Sequence, residues 1–381
     1  MTEAQPVHRV LCTAFEPSGD RLSAPVIEAL LARRPDVEVH AWGGPAMEAA
    51  GAIMHGHSAQ DGAMGLGALA HVRSVRATVH AMGDWMRDHR PSLLMPIDSQ
   101  AANIHVCKRA RRLGVRIAHL AAPQMWAWGS WRAGTLRRNT DHLLCLWPFE
   151  PAWFARRGIE GTFVGHPAIN RPIDDAALDA AAAALAVGES KLLLLPGSRS
   201  QEIARNMPVM RAVLDRLRRD RDDLQAVCVA ATQRVESLLE DHDMDGIEVL
   251  SGGMLDTAVR WCDLALACSG TVTLNLLRQC CPMVGIYPTG VISRLGAPFV
   301  LRAPHRLLPN IIAAARIVPE FVPCSPNPAP IAEAVGRLLD DPRKLADQRA
   351  ALHSTLDKFD SPGFAESCVD VLCGLLDAPQ R

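Results

Sequence analysis

"LLLLPGSRSQEI", residues 192–203, is the stretch whose reading decides the fold. An unbroken apolar run of this kind is a strand covered on both faces, as in a parallel sheet, because a strand with one wet face alternates apolar and polar residues. Pro196 ends the strand and Gly197 lets the backbone come close to a ligand. Ser198 can cap the helix that follows, and Arg199 projects a cation over that helix N-terminus. Backbone donors, a helix dipole and a guanidinium at one strand end make a cradle for a diphosphate. The same residues also fit a capped turn with an exposed arginine. The spacing of a Walker loop is absent.

The pattern repeats outward in both directions. Toward the C-terminus, "LQAVCVA", "IEVL", "DLALAC" and "PMVGIY" alternate with helical segments. Toward the N-terminus, "RVLCTAF", "VEVHAW", "SLLMPI", "RIAHLAA" and "HLLCLW" do the same, and Leu69, Val72, Val75, Val79, Met82 and Met86 fall at steps of three and four, an amphipathic helix. Strands alternating with helices give an α/β fold of parallel βαβ units. The alternation starts twice, so the expected architecture is two doubly wound, Rossmann-like domains, residues 1–170 and 171–361. A proline-containing hinge, "GHPAINRP", separates them, and residues 362–381 form a helical tail of open docking. Ligands are expected at the carboxyl ends of the strands, in the cleft between the domains.

Composition narrows the function. The 381 residues carry 40 Lys and Arg against 41 Asp and Glu, which gives no electrostatic case for nucleic acid. "MTEAQPVHRVLCTAF" lacks the basic and apolar regions of a signal peptide, and no apolar run is long enough to span a bilayer. The expected place is therefore the cytoplasm or a membrane face. The eleven cysteines form no C-x-x-C pair and read as buried thiols.

Four further strand ends carry polar residues. "LLMPIDSQAAN", residues 93–103, ends in Asp98, which is either a helix cap or a proton acceptor. "AFEPSGD", residues 14–20, makes a tight turn into a helix, where Ser18 and Asp20 either cap or meet a ligand. "ACSGTVTLN", residues 267–275, offers a second anion site in the same domain as Arg199. "AAPQMWAWGSWR", residues 121–132, has three tryptophans in six residues, and Trp126 or Trp128 could stack on a sugar or line an acyl chain as readily as pack a sheet edge.

Taken together, "EPSGD", "GGPAMEAAGA", "PID" with Asn103, "APQMWAW", "PFE", "VGHP", "LLPGSRSQEI", "CSGTVTL" and "LPNIIAAARIVPEF" resemble, in order and across most of the chain, the lipid-A-disaccharide synthase family. These are inverting glycosyltransferases of the two-Rossmann (GT-B) architecture. The resemblance implies transfer of 2,3-diacylglucosamine from UDP-2,3-diacylglucosamine to 2,3-diacylglucosamine 1-phosphate, giving a β-1,6 disaccharide and UDP, with no metal and no cofactor. It makes Asp98 the general base. It places Gly197, Ser198, Arg199, Glu202, Ser269, Gly270, Thr271, Asn275 and Asn310 on the UDP-sugar side. It places Glu16, Ser18, Gly19, Asp20, Asn103 and Trp126 on the acceptor side. Two other readings remain open: a GT-B UDP-sugar enzyme with another acceptor or an epimerase-like activity, and a non-catalytic relative.

The chain departs from the family pattern in several places. Phe15 and Pro17 replace a glycine and an alanine of the first motif. Gln100, Ala101 and Ala102 stand where a proline, a second aspartate and an aromatic are usual, and Ala122 and Gly129 replace a serine and an arginine around the tryptophans. Asn275 stands where a glutamate is usual, so a hydrogen bond to a ribose hydroxyl would lose its charge and about half its strength. Because both substrates carry acyl chains, residues 60–90, with Met64 and Leu66 ahead of Arg73, Arg76, Arg87 and Arg90, are the candidate for contact with an anionic membrane surface; the plain alternative is a core helix with a solvated face.

Overall fold

The computed structural model describes residues 8–59, 68–127, 129–185, 187–288, 304–324 and 327–379, without the side chains of residues 68–72, 100 and 288. Met64, Leu66 and Trp128 lie outside the described residues. The chain divides into two compact units, Met1–Asn170 with Ser361–Arg381, and Arg171–Asp360.

The first unit holds a seven-stranded parallel sheet in the order β3-β2-β1-β4-β5-β6-β7. The strands are β1 (His8–Thr13), β2 (Val37–Gly43), β3 (Ile53–His57), β4 (Leu93–Pro96), β5 (Arg116–Leu120), β6 (His142–Cys145) and β7 (Gly161–Phe163). The second unit repeats the winding in six strands, β10-β9-β8-β11-β12-β13. These are β8 (Ser190–Leu195), β9 (Leu224–Ala230), β10 (Ile247–Ser251), β11 (Leu264–Cys268), β12 (Met283–Pro288) and β13 (Glu320–Cys324). Register is continuous at each centre, with Thr13 beside Pro96 and Leu195 beside Ala267. The winding direction reverses there, so the ends of β1 and β4, and of β8 and β11, are the switch points where such sheets place ligands.

Helices cover both faces. One face of the first sheet packs on α1 (Pro17–Arg33), with Val26, Ile27 and Leu30 buried, and on the tail helix Phe364–Asp377, with Cys368, Val369 and Leu372 buried. Arg33 pairs with Asp370, and Arg34 pairs with Asp377 at 2.9 Å, so the tail returns to the first unit. The other face packs on α3 (Ala68–His89) and α4 (Gln100–Arg112) through Val79, Met82, Met86, Val106 and Ala110. In the second unit Leu192, Leu194, Val213, Leu214 and Leu217 anchor the core between β8 and the helix Ser200–Arg218.

The helix ends follow a charge rule visible in the sequence. Every Arg-Arg pair in the chain, at 33–34, 111–112, 137–138, 156–157 and 218–219, falls at the C-terminal end of a helix. The helix dipole leaves partial negative charge there, and a cation beside it contributes about 0.3–1 kcal/mol.

Two buried histidines make folding sensitive to acid. His119 on β5 and His166 are 1% and 9% exposed, and burial holds both imidazoles down at about 4. Between their unfolded value of 6.5 and that figure, the unfolded chain binds protons that the folded chain refuses. Stability is therefore complete above the upper value and is lost as pH falls toward the lower one, at about 1.4 kcal/mol per pH unit for each histidine. Glu150, whose buried carboxyl is held up at about 8, pulls the other way with the weight of one histidine, so the urea midpoint is expected to drop below pH 6.5 with the slope of one group; a midpoint that rises as the pH falls would mean that the folded protein accepts the histidine protons.

Candidate functional site

At the first switch point the end of β4 turns sharply. Asp98 and Ser99 take positive φ, 45° and 38°, which costs side-chain-bearing residues about 1–2 kcal/mol each. The turn lifts Asp98 into solvent while its N–H donates to the Leu120 carbonyl at 3.0 Å. Although the residue is exposed, the atoms packed round its carboxyl strip enough water to raise its pKa. The charge of Glu16 raises it further, and a hydrogen bond from the Ser99 backbone opposes both. Glu16 reaches this turn from the end of β1, accepting from Ser99 Oγ at 2.8 Å. Two carboxylates therefore share the rim of the switch point, one of them poised closer to neutral pH than an ordinary aspartate.

Other residues expected on this side are not open to a ligand. Asp20 is 3% exposed and accepts from the N–H groups of Gly44 (2.9 Å), Ala46 (3.0 Å) and Met47 (3.0 Å), so it caps α2 (Pro45–Ala49). It caps neither its own helix nor a substrate, because the α1 N-cap position is Glu16, with no side-chain cap bond. Ser18 lies exposed on the first turn of α1. Gly19 is a packing residue: a Cβ there would stand 3.2 Å from Ile97 Cγ2 and 3.3 Å from Ala14 Cβ, so only glycine lets α1 approach β4 this closely. Asn103 is fully buried; its Nδ2 donates to the Ile97 and Asp98 carbonyls at 2.8 and 2.9 Å, and its Oδ1 accepts from Thr13 Oγ1 at 2.8 Å. The expectation that Asp20 and Asn103 line the acceptor side is corrected, since their polar atoms are spent inside the fold.

Trp126 is half-buried, its ring edge-on to Phe149 at 5.1 Å and its Nε1–H donating to Glu150 Oε1 at 2.9 Å. Glu150 also accepts from the Trp147 N–H at 3.3 Å, and complete burial pushes its carboxyl up to about 8. Within "PFE", then, the glutamate ties the tryptophan loop to the β6 end.

The second switch point contains a cavity of about 290 Å³. Gly197, Ser198, Arg199, Glu202, Ser269, Gly270 and Thr271 line it. Leu195, Val229, Ala231, Gly252, Leu255, Cys268 and Val272, which sequence reading did not single out, complete the wall. They are apolar or small residues at the ends of β8, β9, β10 and β11, and nothing in their local pattern separates them from core. Gly197 adopts φ +116°, and a Cβ there would meet Glu202 Oε2 at 2.6 Å.

Glu202, not Ser198, organises the turn. Its Oε2 accepts from the Ser198 and Arg199 N–H groups at 3.1 and 3.3 Å, and its Oε1 from Arg199 Nη1 at 2.7 Å. Arg199 keeps a side chain 80% exposed. Ser269 is held by its N–H to the Ile286 carbonyl at 2.8 Å and by its Oγ to the Arg306 carbonyl at 3.4 Å.

Asn275 and Asn310 are not among the described residues lining this cavity. Asn275 is half-buried on the helix Val272–Arg278. Asn310 is fully buried, donating to the Val318 carbonyl at 2.9 Å and to Glu320 Oε2 at 3.1 Å and accepting from the Val318 N–H at 2.8 Å, so its expected place against the donor is corrected. Glu320 also receives the N–H groups of Arg306 and Leu307 at 3.1 and 2.9 Å. Sequence reading missed this carboxylate, which holds the segment that in turn holds Ser269.

The capping role of Asp20 is directly measurable. A buried N–H left without a partner costs about 1–3 kcal/mol, so Asp20→Ala is expected to lose at least about 2 kcal/mol of stability in urea unfolding. A loss below about 0.5 kcal/mol, the size of an ordinary surface change, would mean that water reaches the α2 N-terminus.

Comparison with known proteins agrees with this geometry. Residues 10–363 match the family model described as lipid-A-disaccharide synthetase. The lipid-A-disaccharide synthase of Geobacter sulfurreducens is 31% identical, covering 97% of each chain, and that of Pseudomonas aeruginosa is 31% identical, covering 96% of this chain and 98% of its own. Among solved structures, a spinosyn rhamnosyltransferase complexed with thymidine diphosphate aligns at TM-score 0.58 and 15% identity, over 96% of this chain and 100% of that one. The UDP-GlcNAc 2-epimerase of Neisseria meningitidis, bound to UDP-GlcNAc, aligns at TM-score 0.58 and 10% identity, over 97% and 99%. The structural likenesses speak to the GT-B fold, and the sequence match to the family: the chain belongs to the lipid-A-disaccharide synthases, glycosyltransferases that use a UDP-sugar.

Proposed function

We propose that this chain moves a 2,3-diacylglucosamine unit from UDP-2,3-diacylglucosamine to the 6-hydroxyl of 2,3-diacylglucosamine 1-phosphate. Asp98 takes the hydroxyl proton as that oxygen attacks the anomeric carbon, the bond from that carbon to the diphosphate breaks, and UDP departs with the bonding electrons. Configuration inverts because attack comes from the face opposite UDP. The first unit serves the acceptor and the second the donor.

The observation that carries the reading is an exposed carboxylate at one switch point whose pKa is raised by desolvation and by Glu16. A base works best when its pKa lies near the working pH, and a positioned base contributes about 10²–10⁴-fold. On the donor side, the convergence of Ser198 N–H, Arg199 N–H and the Arg199 guanidinium on one carboxylate oxygen pair supports a diphosphate in the same cavity. The apolar wall of Leu195, Val229, Leu255 and Val272, with small residues at Ala231 and Gly252, suits a flat base.

The acyl chains of both substrates place the work at a membrane surface. Among the described residues no helix is long and apolar enough to cross a membrane. In this reading contact is peripheral, through the segment that carries Met64, Leu66, Arg73 and Arg76, on the cytoplasmic face of the inner membrane.

The test is UDP release from the acylated donor with and without the acylated acceptor. Asp98→Asn is expected to fold normally, bind UDP normally and lose about 10²-fold or more in kcat, while Arg199→Ala weakens UDP binding and turnover together. Retained turnover in Asp98→Asn would remove it as the base, and unchanged UDP affinity in Arg199→Ala would remove the cradle. Acceptor-independent release would replace the transferase reading.

A further inference from the structure

Asp98 and Ser99 stand side by side in the left-handed region, with φ 45° and 38°, and neither is glycine. Such a turn persists only where its surroundings over-determine it: the Asp98 N–H donates to the Leu120 carbonyl, the Ala102 and Asn103 N–H groups to the Ser99 carbonyl, and one buried amide, the Asn103 side chain, takes the two carbonyls before it. Asn103 is 0% exposed and uses both of its N–H protons on successive carbonyls, Ile97 at 2.8 Å and Asp98 at 2.9 Å. Those carbonyls belong to the residues that leave β4. The amide is itself held: Thr13 Oγ1, also 0% exposed and on the last residue of β1, donates to Asn103 Oδ1 at 2.8 Å. The Ile97 N–H closes the loop by donating to the Thr13 carbonyl at 2.9 Å. The first turn of α4 is tied in through the Asn103 N–H to the Ser99 carbonyl at 3.0 Å.

We propose that Thr13 and Asn103 are positioning residues for the reaction. They fix the left-handed turn, so that the Asp98 carboxyl is presented beside Glu16. The inference rests on Asp98 being the base. It assigns no substrate contact to either residue, because no polar atom of Asn103 is left over to make one.

The chemistry selects the residue types. Only an amide gives two donors and an acceptor from one planar group, so an aspartate at 103 would set its oxygens against two carbonyl oxygens. Valine at 13 keeps the shape of threonine but removes the one donor that reaches Asn103 Oδ1, leaving a buried acceptor unpaired. Serine at 13 keeps that donor.

The experiment compares Thr13→Val, Thr13→Ser, Asn103→Ala and Asp98→Asn in the full chain, reading kcat, donor KM and the acid limb of kcat/KM. Thr13→Val is expected to lower kcat about 5- to 30-fold and Asn103→Ala about 100-fold, with donor KM within 2-fold; a 1 Å misplacement of a reacting group costs on that order. A loosened turn exposes the carboxyl to water, so the acid limb moves to lower pH, toward an ordinary carboxylate. Thr13→Ser restores both rate and limb. If Thr13→Val and Asn103→Ala lower only the unfolding midpoint and leave kcat and the acid limb where they were, the positioning role is wrong and the bonds serve stability alone. If Asp98→Asn keeps its turnover, the base assignment fails first, and that outcome is read independently of the other variants. Should Asn103→Ala not fold, the Thr13 pair still decides the matter.

Discussion

A strand that stops inside a sheet covered on both faces leaves its last carbonyl oxygens in a dry place, and each of them must find a proton. Both units of this protein meet that demand with buried asparagines. Asn103 closes the end of β4 and Asn206 donates to the Pro196 carbonyl just past β8 at 2.5 Å, while Asn310 does related work at a strand's entrance, bonding both the N–H and the carbonyl of Val318 two residues ahead of β13. The three are 0%, 1% and 0% exposed. Because the amides take up the strand ends, the turns that follow are free to adopt shapes a plain βα connection would avoid: a left-handed pair at Asp98 and Ser99, and Gly197 at φ +116°. The proposed base and the proposed diphosphate cradle sit on those turns, so the proposed chemistry depends on amides that never reach solvent.

Negative charge follows a parallel logic at helix starts. Asp20 fills the N-terminus of α2, Glu202 that of the helix Ser200–Arg218, and Asp341 that of Pro342–Leu356. Each satisfies N–H groups that a helix leaves unpaired. Only at Glu202 does this happen on a cavity wall, beside a guanidinium that remains mostly exposed. Under the proposed reading an external phosphate would address the same donors as the internal carboxylate, which is a different arrangement from Asp20, itself 3% exposed.

The interior of the fold was legible in the sequence because its strands are apolar runs that admit few other readings. "KLLLLP", "LQAVCVA" and "DLALAC" fall on β8, β9 and β11. The strands that escaped are β3, β7 and β13, all of them sheet edges. Their sequences, "IMHGH", "GTF" and "EFVPC", are polar, short or interrupted by proline, which is how edges avoid pairing with other chains and why they look like loops. At the site, the positions of the polar residues were legible but not the direction they face. Asp20, Asn103 and Asn310 occupy strand or helix ends as Asp98 and Arg199 do, and only tertiary burial separates a cap from a ligand contact. The apolar cavity wall could not be read at all, because Val229 and Leu255 look like any other core residue until the chain is folded.

The carboxylate beside Asp98 comes from another element of the first unit. Where the family pattern carries a second aspartate, this chain has Ala101, and a lone carboxylate on a wet turn would sit in the ordinary range and be a weak base at neutral pH. Glu16, a residue of the first motif that this chain keeps, supplies a like charge from another element. It is drawn to the turn by Ser99 Oγ at 2.8 Å, and its effect on Asp98 is in the same direction as desolvation. That charge is held there only while the Asp98–Ser99 turn keeps its left-handed shape, since Ser99 must point at Glu16 from the residue next to the proposed base. The Glu16 carboxylate, the serine at 99 and the buried amide beneath them are therefore one linked set around the proposed base.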